Sequence, residues 1–159
     1  MLKWLWLSLA VVVLDQVTKV AASGALAAGR PVEVLPFLNL TLLHNTGAAF
    51  SFLSDAAGWQ RWFFVAVALV VTGVLVLWLR RLGAGERWLA GALALVIGGA
   101  VGNLWDRVAY GYVVDFIDLH AAGWHWPAFN VADSAITVGV VVILLDGFLA
   151  GRREGDSEP

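Results

Sequence analysis

Four apolar runs, about residues 4–22, 62–79, 88–105 and 133–150, constrain this 159-residue chain more than any other feature. A helix of roughly 18 residues, rising ~1.5 Å per residue, is about 27 Å long, close to the ~30 Å hydrocarbon core of a bilayer. The runs predict an all-α integral membrane protein with four transmembrane helices. Composition agrees, with 60% hydrophobic residues and a mean hydropathy of +0.81. Trp4, Trp59, Trp62, Trp88 and Trp105 flank the runs, where indoles favour the headgroup zone. The absence of cysteine excludes disulfides, a thiolate nucleophile and cysteine metal sites. A net charge of -2 with scattered basic residues argues against a nucleic-acid partner.

Basic residues set the expected orientation. Lys3, Arg80, Arg81, Arg87, Arg152 and Arg153 share one side, and Lys19, Arg30, Arg61 and Arg107 the other. The larger set includes the short loop from Arg80 to Arg87, which predicts cytoplasmic termini, outer segments at about 23–61 and 106–132, and a disordered tail at about 152–159. Lys3, the apolar core after it and Ala25-Leu26-Ala27 imitate a secretory signal peptide. Asp15-Gln16-Val17-Thr18-Lys19 interrupts that pattern and favours a retained helix, in which Asp15 and Lys19, one turn apart, can pair at the outer interface; the bland alternative is a local ion pair that merely ends the span. Alternation and prolines from Pro31 to Leu42 predict short strands. His44 to Phe52 reads as a turn whose apolar residues dip into the interface. The second run reads as scaffold, and Asp146 is expected to pair with Arg152.

Chemistry concentrates where the third run meets water, at Gly98-Gly99-Ala100-Val101-Gly102-Asn103-Leu104-Trp105-Asp106-Arg107, followed by Gly111 to Phe116. Close helix packing explains the glycines, but not Asn103, Asp106 and Arg107 beside them. Ionisable groups next to hydrocarbon are costly unless paired or solvated, so they mark function by default. If the third and fourth helices are neighbours, Asp115 meets Asp133 at the mouth of the fourth. Two carboxyls in reach of each other share one proton and supply a base and an acid, the arrangement of an aspartic protease. Asp133 as cap of the fourth helix is the nominated base, and Asp115 the proton carrier. The acids alone also fit a scaffold in which they cap helices and pair with Lys19 and Arg107, and less well a proton-coupled transporter. The absence of a repeat and the clustering of acids at one face speak against the transporter. Asp118, His120 and His125 lack the spacing of a metal motif and read as solvated loop residues. Ser51, Ser54 and Ser134 sit in no nucleophile elbow.

Taken together, Asp15 to Lys19, Asn45-Thr46-Gly47-Ala48-Ala49-Phe50, Gly98 to Arg107 with Gly111 to Phe116, and Phe129-Asn130-Val131-Ala132-Asp133-Ser134-Ala135 resemble bacterial lipoprotein signal peptidase, or signal peptidase II. The resemblance spans nearly the whole chain in order. It implies a single membrane-embedded peptidase domain over 1–159, four helices with a small β cradle on the outer surface of the inner membrane, and no cofactor or metal. The implied activity is aspartic endopeptidase cleavage of diacylglyceryl-modified prolipoproteins before the lipid-modified cysteine. Asp115 and Asp133 match the catalytic pair, and Asn45, Asn103, Arg107 and Asn130 match substrate-orienting positions. Asp15, Lys19, Gly47 and Asp106 match positions that support the site. The implied partners are prolipoproteins, membrane lipids and globomycin-type inhibitors, with the enzyme expected as a monomer.

Overall fold

The computed structural model describes residues 1–47 and 58–155. After a 3-10 turn at Leu2–Trp4 come helices α1 (Leu5–Ala25), α2 (Trp59–Arg81), α3 (Arg87–Ala109) and α4 (Val131–Gly155). These are the four expected helices, and all are long and apolar enough to cross a membrane. Helix α4 continues to Gly155, past residue 152 where a disordered tail was expected. The expected interfacial segment from Ala48 to Phe52, Ser51 and Ser54 within and beside it, residues 156–159 and the Arg152 side chain lie outside the described residues.

Helix α3 is the axis of the bundle. Inside the fold lies 61% of its apolar window, against 11% for α2 and 17% for α4. Its small residues are the cause, because they let neighbouring backbones approach closely. A Cβ at Gly98 would lie 2.8 Å from the Ser8 carbonyl oxygen of α1, and one at Gly102 would lie 2.7 Å from Asp15 Oδ2. One at Gly99 would collide with the Ala132 carbonyl oxygen of α4. The Ser8 hydroxyl, inside the bundle, donates to the Ala94 carbonyl at 2.7 Å. Toward the other end, Leu79, Leu89, Ala90, Leu93 and Ile97 form an apolar cluster that Trp4 and Leu5 join. Helices α2 and α4 turn Leu69, Val70, Leu144 and Phe148 outward, a surface that suits acyl chains.

Gly99→Ala is therefore expected to push α4 off α3 and cost ~1–3 kcal/mol, as overpacking does. The check is thermal unfolding in detergent beside Gly24→Ala, whose added methyl meets nothing within 4 Å. Equal melting temperatures for the two variants would contradict the close approach.

A four-stranded antiparallel sheet covers one end of the bundle in the order β1 (Val32–Leu35), β2 (Leu38–Asn45), β3 (Val113–Ala121), β4 (Trp124–His125). The β1–β2 hairpin occupies the stretch whose alternation and prolines predicted strands. Strand β3 falls in the 106–132 segment, for which the sequence reading predicts no strand. Its register pairs Leu43 with Asp115 and Asn45 with Val113. Beyond β4, Phe129 bridges back to Ile117, its N–H donating to the Ile117 carbonyl at 3.0 Å and its carbonyl accepting at 2.9 Å. That bridge delivers Asn130 to the head of α4, beside Asp115.

Candidate active site

Asp115, on β3, and Asp133, in the first turn of α4, come together through Asn130. The Asn130 amide Nδ2 donates to Asp115 Oδ1 at 2.7 Å, and its backbone N–H donates to Asp133 Oδ2 at 3.2 Å. Asn130 is itself the cap of α4, because its Oδ1 accepts the Asp133 N–H at 3.0 Å. Asp133 answers from the third helical position, so the two form a reciprocal capping box. The expected cap role of Asp133 is thus divided, with Asn130 in the cap position.

Three amides aim at the acids, and each is oriented by what its own oxygen accepts. Asn45 Oδ1 accepts the Gly47 N–H at 2.8 Å, which leaves Nδ2 to donate to Asp115 Oδ2 at 2.9 Å. Asn103 Oδ1 lies between two donors, Lys19 Nζ at 2.9 Å and Asn130 Nδ2 at 3.2 Å. Its Nδ2 can then only face outward, and it donates to Asp133 Oδ1 at 2.7 Å. Gly47 makes the Asn45 turn at φ +101, where a Cβ would meet the Phe64 ring at 2.6 Å.

Behind the amides lies a buried ion cluster. Lys19 Nζ contacts Asp15 Oδ2 at 2.8 Å and Asp106 Oδ2 at 2.9 Å, so with Asn103 all three ammonium donors are used. On the residues alone the Asp15–Lys19 pair reads as an interfacial one, with a mere local end to the span as the alternative. Instead Asp15, Lys19 and Asp106 are 0%, 3% and 1% exposed, because α1 packs directly on the glycines of α3. Asp15 Oδ1 also accepts the Ala132 N–H of α4 at 2.9 Å, and Asp106 accepts the Val114 N–H at 3.1 Å. One cluster therefore holds α1, α3, α4 and the start of β3 in a common frame. Gln16, which the sequence reading did not single out, closes it by donating to Asp106 Oδ1 at 2.8 Å.

The Arg107 guanidinium donates to the Asn103 carbonyl at 3.2 Å and lies 5.2 Å from the centre of the Phe64 ring. A groove of about 400 Å³ runs from Asp133 along Ser134, Thr137 and Val138 of α4, walled by Leu119, Trp126 and Phe129. Asp118 is buried rather than solvated. Its carboxylate meets His125 Nδ1 at 2.8 Å and accepts the Asn39 amide at 3.2 Å, which pins the sheet together.

Burial pushes the Asp115 carboxyl up to about 6 from an ordinary 3.8, against the Asn45 hydrogen bond and with added repulsion from Asp133. The native state therefore holds this proton where the unfolded chain has released it, so stability from this group is lost as pH rises between 3.8 and about 6. Relative to Asp115→Asn, the wild type is expected to lose up to about 3 kcal/mol over that window and nothing further above it. Thermal unfolding of both proteins across the window checks this. A constant difference in melting temperature would contradict the raised carboxyl.

Of the residues the sequence nominated, Asp15, Lys19, Asn45, Gly47, Asn103, Asp106, Arg107, Asp115, Asn130 and Asp133 converge at this one end. Phe64, under both Gly47 and Arg107, was not foreseen and has no polar signal to betray it.

A family model described as Signal peptidase (SPase) II matches residues 7–149. The chain belongs to the signal peptidase II family. It is 58% identical over 155 residues to a lipoprotein signal peptidase of Pseudomonas putida, covering 96% of this chain and 91% of that one. A lipoprotein signal peptidase of Vibrio cholerae serotype O1 is 53% identical over 153 residues, covering 95% and 90%. A bacterial membrane enzyme solved by the in meso method at 2.3 Å superposes with a TM-score of 0.86 at 33% identity, covering all of this chain and 95% of that one. Membership of the signal peptidase II family makes this four-helix membrane protein a peptidase.

Proposed function

We propose that this member of the signal peptidase II family is an aspartic endopeptidase. It removes the signal peptide from diacylglyceryl-modified prolipoproteins by cutting before the lipid-bearing cysteine. The observation that carries the reading is the sharing of Asn130 between Asp115 and Asp133, which holds two carboxyls from different elements in one polar site. The names of the relatives support the substrate class.

In this mechanism the Asp133 carboxylate takes a proton from water as the water oxygen bonds to the scissile carbonyl carbon. Protonated Asp115 gives its proton to the carbonyl oxygen. The tetrahedral diol then collapses as the C–N bond breaks: Asp133 returns a proton to the leaving amine, and a diol hydroxyl returns one to Asp115. The products are a signal-peptide carboxylic acid and the free amine of the lipid-modified cysteine. The proton state belongs to the pair, and the division of roles is one microstate of it. Asn45, Asn103 and Asn130 orient the acids and the substrate backbone. Asp15, Lys19, Asp106 and Gly47 hold those amides in place.

The groove beside Asp133 suits an apolar substrate segment arriving from the bilayer, and the site lies where water is at hand. The distribution of basic residues supports cytoplasmic termini and an outer-facing sheet in the bacterial inner membrane. The enzyme works as a monomer, and globomycin-type cyclic peptides are expected to occupy the same site and block it.

The test is incubation of the purified chain in detergent with a prolipoprotein precursor, diacylglyceryl-modified or unmodified, with the new N-terminus read by mass spectrometry. Cleavage before the modified cysteine, and none of the unmodified precursor, is expected. Equal cleavage of both, or a cut elsewhere, would overturn the substrate assignment. Arg107→Ala is expected to lower kcat/KM about tenfold to hundredfold through substrate positioning while leaving the melting temperature close to wild type. A fully active variant would remove Arg107 from the site.

A further inference from the structure

At the end of the bundle away from the sheet, the 3-10 turn, the α2–α3 connection and the start of α3 enclose a pocket of about 460 Å³, lined by Met1, Lys3, Trp4, Leu82, Ala84 and Arg87. Two cations from different elements face it. The neighbouring acid, Glu86, is engaged in its own turn, accepting the Gly83 N–H at 2.6 Å. Trp4 forms a wall, seated on α3 where a Cβ at Gly91 would lie 3.3 Å from the indole. Its indole N–H is buried without an acceptor among the described residues. Trp4 and Leu82 pack on the apolar cluster of Leu79, Leu89, Ala90, Leu93 and Ile97. The site is thus cationic at its rim and apolar at its floor, and it lies at the edge of three spanning helices.

We propose that this pocket binds an anionic phospholipid through its headgroup phosphate. Arg87 presents its planar fork and Lys3 its ammonium to the phosphate oxygens, while the glycerol and upper acyl carbons rest against Leu82 and Trp4. Basic pockets between helix ends at a leaflet surface take such headgroups. The apolar floor and the position at the bilayer edge select a lipid over free phosphate.

Native mass spectrometry of the full chain in detergent tests this, with titration by phosphatidylglycerol, phosphatidylcholine or inorganic phosphate. Phosphatidylglycerol is expected to bind first and tightest, and Lys3→Gln/Arg87→Gln to raise its dissociation constant roughly 25-fold, about fivefold per cation. Arg80→Gln/Arg81→Gln removes the same charge from the end of α2, outside the pocket, and is expected to change it little. Equal losses in both double variants would reduce the effect to general surface charge and overturn the proposal. So would equal affinity for phosphatidylcholine, or binding of inorganic phosphate as tight as that of the lipid. Single Lys3→Gln, at an exposed side chain, gives the fivefold step should the double variant fail to fold.

Discussion

Asp115→Asn and Asp133→Asn are each expected to lower kcat/KM on a diacylglyceryl-modified prolipoprotein by ~10³-fold or more, with the chain still folded. Asn keeps the outline of Asp but accepts no proton from water, so it separates chemistry from packing. Each substitution turns one acceptor oxygen into an N–H₂ group facing the existing amide donors, Asn45 and Asn130 at position 115 and Asn103 at position 133. Below pH 3.8 the cost to stability is expected to be about one hydrogen bond, ~1 kcal/mol, and for Asp115→Asn it shrinks as the wild type loses stability toward pH 6. The double variant should be hardly slower than either single one, because residues acting as a unit are not additive. Thermal unfolding and cleavage of the same preparations decide the matter. Near-normal cleavage by a folded variant would leave that Asp as a helix cap or amide acceptor only, and the mechanism would pass to another residue.

Lys19→Met should have the largest effect on stability. Its ammonium is the sole cation touching Asp15 and Asp106 among the described ion pairs, and all three groups are almost fully buried. Removing one partner of a buried pair leaves an uncompensated charge, typically ~3–5 kcal/mol, within reach of the ~5–15 kcal/mol that holds a whole domain together. Activity should fall as well, because Asn103 loses one of the two donors that fix its orientation toward Asp133. The triple variant Asp15→Asn/Lys19→Met/Asp106→Asn removes the charges together and should recover part of the lost stability. A Lys19→Met protein that melts with the wild type would mean that the cluster does not bind the helices together.

The helices were legible because hydrocarbon imposes a length and a composition that few other environments demand, and the four apolar runs meet both. The β1–β2 hairpin was legible from alternation and the two prolines at Pro31 and Pro36. Strand β3 was not. It is buried on both faces over Val113–Phe116, so its period-two signal is erased by Asp115 standing among apolar neighbours. Likewise Asp118 reads as solvated in sequence, since nothing local reveals that Asn39 and His125 arrive to satisfy it.

The sequence by itself determined that the chain carries four helices long and apolar enough to cross a membrane, that α3 carries small residues for close packing, and that Asn103, Asp106 and Arg107 gather at one end of it. Those properties follow from local composition, which the surrounding solvent reads directly. Only the tertiary structure decided that Asp15 caps α4 from another helix, that Lys19 spends all three donors inside the bundle, and that Asn130 stands between Asp115 and Asp133. The partners of Asp15 at Ala132 and of Asn45 at Asp115 are 117 and 70 residues away along the chain. The first exists only once Gly98, Gly99 and Gly102 let α1 and α4 close on α3, the second only once β2 pairs with β3, and no local pattern encodes either event.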